Sequence, residues 1–195
     1  MARTPSSMVA LGSAAPDFVL PDVVTGKMVT RADVTGPKGM LAMFICRHCP
    51  FVRHVQEELA RLGRDYQSSV GIVGISSNDA DRYDDDSPES LSEWARQFGF
   101  TFSVCFDATQ SVAKAYTAAC TPDPFVFDEK RLLAYRGQLD DSRPGNGKPV
   151  TGRDIRAALD AVVAGRPVDP VQRPSAGCNI KWKPGNAPAY FGVRK

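Results

Sequence analysis

Apolar positions along the chain recur with a period of either two or about 3.6, and the switches between these periods outline a fold. Ala15 to Leu20 and Val23 to Thr30 place apolar and β-branched residues on either side of a turn at Gly26, which predicts an N-terminal hairpin. Met40 to Ile45 is an unbroken apolar run of strand length, as expected for a strand covered on both faces. After Pro50, Val52, Val55, Leu59 and Leu62 mark one face of an amphipathic helix, with Gly63 near its end. Val70 to Ile75 repeats the buried-strand pattern. Strand, helix and strand make a βαβ unit and imply parallel pairing.

Ser87-Pro88 has the cap and first-turn chemistry of a second helix, which carries Leu91, Trp94, Ala95 and Phe98 up to Gly99. Phe100, Phe102, Val104 and Phe106 alternate with Thr101, Ser103 and Cys105, predicting a strand. A short helix near Ser111 to Tyr116 follows, then a closing hairpin from Phe125–Phe127 and Arg131–Gly137. A last helix spans Thr151 to Ala164, with Ile155, Leu159, Val162 and Val163 on its apolar face. Neither period reaches Asp140 to Pro149 or the tail from Val168, where Pro170, Pro174, Pro184 and Pro188 exclude a helix. The predicted architecture is α/β: a central mixed β-sheet flanked by helices, with an N-terminal hairpin and an irregular C-terminal tail. Residues 1–14 form a leading segment, 15–166 one domain and 167–195 an extension.

A hydrophobic share of 43% supplies a full core for that domain. A net charge of only +2 lacks the basic excess of a protein that tracks nucleic acid or an anionic membrane surface. No apolar run approaches the ~18 residues of a membrane span, and no apolar targeting core follows Arg3. The expectation is a cytoplasmic protein with neither nucleic acid nor membrane as partner.

Cysteines stand at 46, 49, 105, 120 and 178 and histidines at 48 and 54. An odd, scattered set of thiols is not a disulfide framework. Cys46-Arg47-His48-Cys49 is the sharpest feature, because it falls between a buried strand and a helix start. The helix amides and dipole there stabilise a thiolate, and a cationic Arg47 or His48 would add to this. A second thiol two residues away can resolve a mixed disulfide, making the pair a reversible two-electron couple.

Zinc is a competing reading, with Cys46, Cys49, His54 and Cys178 as ligands, although closed tetrahedral sites normally draw on two closely spaced pairs. His54 lies off the apolar stripe near Glu58 and reads as a helix-surface histidine. Cys120 and Cys178 are each either packing residues or additional redox thiols. Cys105 faces away from the phenylalanines and carries no role. The acidic run Asp79, Asp81, Asp84, Asp85 and Asp86 lacks the glycine and terminal glutamate of a calcium loop, so it reads as a solvated loop.

The opening Ala15-Pro16-Asp17-Phe18, the Cys46 to Cys49 motif after the first core strand, and Thr121-Pro122 before a later strand together resemble the thioredoxin-like superfamily, AhpC/TSA (peroxiredoxin-like) type. The resemblance runs from residue 15 through the last helix. The tail phrase Gly177 to Asn186 looks like that of a less characterised subgroup sharing a Cys-x-His-Cys-Pro motif. The resemblance implies a thioredoxin-like fold and thiol–disulfide exchange without a cofactor, with Cys46 as nucleophile, Cys49 as resolving thiol, and Arg47, His48, Thr121 and Pro122 in support. It also implies a cis bond at Pro122 that turns the Thr121 backbone toward an extended substrate. Partners would be a disulfide-containing protein or small oxidant and an external thiol reductant. His48 before the second cysteine is similar to protein disulfide isomerase, which suggests a couple less reducing than thioredoxin's.

Two departures stand out. Met40 to Ile45 lacks the buried acid of thioredoxins, and Cys46 occupies the place of the peroxiredoxin threonine. A thiol peroxidase with Cys49 as the peroxidatic cysteine is therefore the alternative, Cys49 sulfenate condensing with Cys46.

Overall fold

The computed structural model describes residues 3–192; the outermost residues of the leading segment and of the C-terminal extension lie outside the described residues. A five-stranded mixed sheet forms the centre, in the order β6 (Ser103–Phe106), β5 (Gly71–Ser76), β4 (Gly39–Phe44), β8 (Asp123–Asp128), β9 (Leu133–Arg136). β4 pairs parallel with β5, and β5 with β6, while β4–β8 and β8–β9 are antiparallel. Every residue of β4 is buried, which is why its sequence shows no alternation.

Alternate residues of β4 serve opposite cores. Leu41 and Met43, together with Ile45 just beyond the strand, meet Val52, Val55, Leu59 and Leu62 of α1 (Pro50–Tyr66), Leu91 and Trp94 of α2 (Pro88–Phe98), and Ile155 and Leu159 of α4 (Arg153–Val163). Met40, Ala42 and Phe44 meet Phe125, Phe127 and Tyr116, with Val112 of α3 (Ser111–Ala115) and Phe18 and Leu20 of the predicted hairpin. That hairpin is β2 (Val19–Pro21) against β3 (Met28–Thr30). Among the described residues no helix is long and apolar enough to cross a membrane.

Gly63 lies near the end of α1, as expected, and a Cβ there would come within 2.9 Å of the Phe102 ring. Other expectations are corrected. The strand expected across Phe100–Phe106 is confined to Ser103–Phe106, since Phe100 and Phe102 stack on each other at 4.9 Å instead of joining a ladder. Asp140–Pro149 lacks helix and strand but is firmly held: the buried Asp140 carboxylate accepts the amides of Ser142, Thr151 and Gly152.

The tail is not wholly irregular. The prolines at 174 and 184 leave a stretch between them that forms β10 (Ala176–Asn179), the middle strand of a small antiparallel sheet between β1 (Arg3–Pro5) and β7 (Cys120–Thr121). Gly177 permits this pairing, because a Cβ would lie 1.8 Å from the Thr121 carbonyl oxygen. Leading segment and extension thus close one sheet over the domain.

Candidate active site

Between β4 and α1 the chain turns through Cys46 to Cys49, and one buried carboxylate organises the turn. Asp86 accepts the amides of Arg47 (2.8 Å) and His48 (3.2 Å) through one oxygen. Its other oxygen accepts from Asn78 Nδ2 (2.7 Å) and bonds His48 Nδ1. The His48 ring stacks on Tyr83, with centroids 5.2 Å apart. Asp86 has no solvent exposure, so the solvated loop expected for the acidic run is corrected at this residue, and at Asp79, which is 1% exposed. Nothing in the run of aspartates distinguishes Asp86 by sequence.

Cys49 is the residue capping α1, with Pro50 in the first turn, and both Cys46 and Cys49 are buried. A single residue bridges them: Cys46 Sγ lies 3.2 Å from Thr121 Oγ1, and the Cys49 thiol donates to the Thr121 carbonyl at 3.2 Å. The Thr121-Pro122 peptide bond is cis.

The two thiols differ in acidity. Hydrogen bonds to the Cys49 sulfur from the thiols of Cys178 and Cys46 hold it far below the ordinary thiol range; the Thr121 hydroxyl and the Val52 amide in the first turn of α1 add to this, against burial. Burial pushes Cys46 well above that range, followed by its hydrogen bond to Cys49 and the nearby Asp86 charge. Neutral donors and a helix start, rather than cations, hold the thiolate. Arg47 turns its guanidinium to α2, bonding the Ser90 carbonyl at 2.9 Å and Glu93 at 3.4 Å.

The small sheet decides which other cysteines join. Cys178 is opposite Thr121 and Asn179 opposite Cys120, and directly opposed residues of an antiparallel pair share a face. Thr121 and Cys178 therefore face the dithiol, while Cys120 faces away, its thiol directed 3.7 Å from the Pro122 carbonyl. The same ladder corrects another expectation: β10 already occupies the Thr121 backbone, where an extended substrate was expected to lie.

The expected zinc set is not assembled. His54 is a helix-surface histidine, half-buried, and bonds Ser142 Oγ at 2.7 Å where the 140–149 loop packs over α1. Among the described residues, the His/Cys/Asp/Glu group compact enough for an ion is Cys46, His48 and Asp86, in which His48 and Asp86 already bond each other. A buried acid does stand near the site, though not on β4: Asp123 follows the cis-proline, and burial raises its carboxyl to about 7 against the amides of Ala119 and Cys120. Its sequence signal is a lone acid at the head of an apolar strand. Cys105 sits in the opposite core, as its alternation predicts.

A mixed sheet with a dithiol at the strand-to-helix turn, beside a cis-proline, defines the class: a thioredoxin-fold oxidoreductase. The chain belongs to the AhpC/TSA family, whose model matches residues 11–136. A crystal structure of an uncharacterized conserved protein from Geobacillus kaustophilus is similar at 54% identity and TM-score 0.93, covering 95% of this chain and 98% of that one. The thiol-disulfide oxidoreductase ResA of Geobacillus kaustophilus (strain HTA426) is 29% identical over 129 residues, 65% of this chain and 68% of that protein. Peroxidoxin BcpB from Mycobacterium tuberculosis, 18% identical with TM-score 0.59 over 80% of this chain and 97% of that one, shares the fold.

Proposed function

We propose that the protein is a thiol–disulfide oxidoreductase whose Cys46 and Cys49 cycle between dithiol and disulfide. The observation that carries this reading is geometric: two thiols at a strand-to-helix turn, both bridged by Thr121 beside a cis-proline, with Cys49 at the start of α1. The ResA relative supports the same activity. The acidities favour attack by Cys49 and resolution by Cys46, the reverse of the order implied by the family resemblance.

Cys49 thiolate attacks one sulfur of the substrate disulfide, forming a mixed disulfide and expelling the other sulfur as a thiolate. Cys46 then gives up its proton and attacks Cys49, releasing the second substrate thiol and leaving the Cys46–Cys49 disulfide. An external thiol reductant returns two electrons. Protein disulfides and small oxidants are the proposed substrates, and a reducing cytoplasm the proposed setting, checked by detecting the protein in fractionated cells.

The test is reduction of insulin disulfides with dithiothreitol as the electron source. Cys49→Ser abolishes turnover and Cys46→Ser retains one round of attack; undiminished turnover in Cys49→Ser overturns the proposal. The same acidic Cys49 also favours a second reading, peroxide reduction. There Cys49 takes one oxygen from the peroxide as a sulfenate, the O–O bond breaking to release water or an alcohol, and Cys46 condenses with the sulfenic acid to a disulfide and a water. Parallel kinetics with insulin and hydrogen peroxide on one reduced preparation separate the two.

A further inference from the structure

Cys49 has two thiol neighbours, and the second arrives from the end of the chain. Cys178 is held in β10 by pairing on both sides, with Arg3 of β1 and Thr121 of β7 as its partners in register. It is 1% exposed and packs in the same core cluster as Cys46 and Cys49. Its face is that of Thr121, whose hydroxyl is 3.2 Å from Cys46 and whose carbonyl accepts from Cys49. A hydrogen bond joins its thiol to Cys49. β10 thus lies along the cis-proline strand as a bound peptide would, with a cysteine directed at the reacting sulfur.

We propose that Cys178 is a second resolving thiol, which attacks the mixed disulfide on Cys49 and forms a Cys49–Cys178 disulfide. The inference rests on the exchange chemistry proposed above. Attack by Cys178 breaks the Cys49–substrate bond, releases the substrate sulfur as a thiolate, and passes the Cys178 proton to that leaving group or to water. No further oxidant is consumed. Cys46 then attacks Cys49, its proton passing to the Cys178 thiolate that is expelled, and leaves the Cys46–Cys49 disulfide. Cys178 is thereby a relay, held against Cys49 by β10, that shortens the life of the mixed disulfide. Cys120 lacks this role because its register turns it to the other face.

The experiment uses the reduced full chain with Cys46→Ser, mixed with glutathione disulfide, quenched with iodoacetamide and mapped by mass spectrometry. The expected product is a Cys49–Cys178 disulfide with two glutathione thiols released, while Cys46→Ser/Cys178→Ser releases one and retains the other on Cys49. A lasting Cys49 adduct in the single variant, or a Cys49–Cys120 link, overturns the relay and leaves the exchange activity standing. Failure of Cys49 to react at all, with the unaltered protein reactive, overturns Cys49 as the attacking thiol and the relay with it, while failure of the unaltered protein to react overturns the exchange reading itself. Brief oxidation of the unaltered protein followed by acid quench should also show the Cys49–Cys178 disulfide as an early species that gives way to Cys46–Cys49. Its absence at every time point counts against the relay even if the serine variant folds poorly.

Discussion

The central sheet and the small sheet are built on different principles. The central sheet is a continuous stack of strands whose side chains alternate between two cores, so its stability comes from apolar burial. The small sheet joins β1, β7 and β10, segments of three, two and four residues from far apart in the chain. Its β7 and β10 are buried against the domain, and through Thr121 and Cys178 they fix what faces the dithiol. One sheet holds the molecule together, and the other finishes the site.

Substitutions in the two sheets should therefore separate stability from activity. The largest stability loss is expected from Leu41→Ala or Met43→Ala in β4, both buried completely. Each should cost about 2–5 kcal/mol in denaturant unfolding, as for other large-to-small core changes. A loss under about 1 kcal/mol would contradict the role assigned to β4. Gly177→Ala attacks the small sheet: its Cβ would meet the Thr121 backbone at 1.8 Å, so β10 must move away from β7. The expected cost is about 1–3 kcal/mol of overpacking strain, together with a loss of insulin-reducing turnover greater than that of a β4 variant assayed while folded. Native turnover in Gly177→Ala would show that the small sheet does not complete the site.

Asp86→Asn tests the turn that both sheets flank. The carboxylate accepts from two backbone amides and from Asn78, and bonds His48, so removing its charge should cost about 2–3 kcal/mol. It should also make Cys46 more acidic by removing a nearby negative charge. Thiol titration by ultraviolet absorbance reads this, and an unchanged Cys46 titration would refute the assigned electrostatics.

The smallest effect is a slope. Asp123 has its carboxyl raised to about 7 by burial, against about 3.9 in an unfolded chain. Between those values the folded protein keeps a proton that the unfolded chain has released. The contribution is therefore complete below about pH 4 and is lost as pH rises through 7. Asp123→Asn should flatten the fall of Tm with pH across that window, and parallel Tm curves for the two proteins would exclude it.

The central sheet is legible in sequence because each strand and helix carries its own period: Met40 to Ile45 announces a buried strand, and Val52, Val55, Leu59 and Leu62 announce α1. The Cys46–Cys49 pair is equally legible, being local. Asp86, Asp123 and the pairing of Cys178 with Thr121 are not. A two-residue strand such as Cys120–Thr121 has no period to display, and a buried aspartate within an acidic run has the composition of a solvated one. These features arise from long-range register. The leading segment and tail, which look separable by composition, are the two outer components of the structure that completes the site.

Cys49 and Cys178 also differ in when they appear. During synthesis the dithiol turn and α1 emerge well before β10, so from the time Thr121 is made until residue 179 is added, Thr121 lacks the strand that later pairs with it. The nascent protein therefore passes through a stage in which the Cys49 sulfur has lost one of its donors and the cis-proline strand has an open edge. Full acidity of Cys49 is acquired late, which delays its reactivity until the rest of the fold is in place.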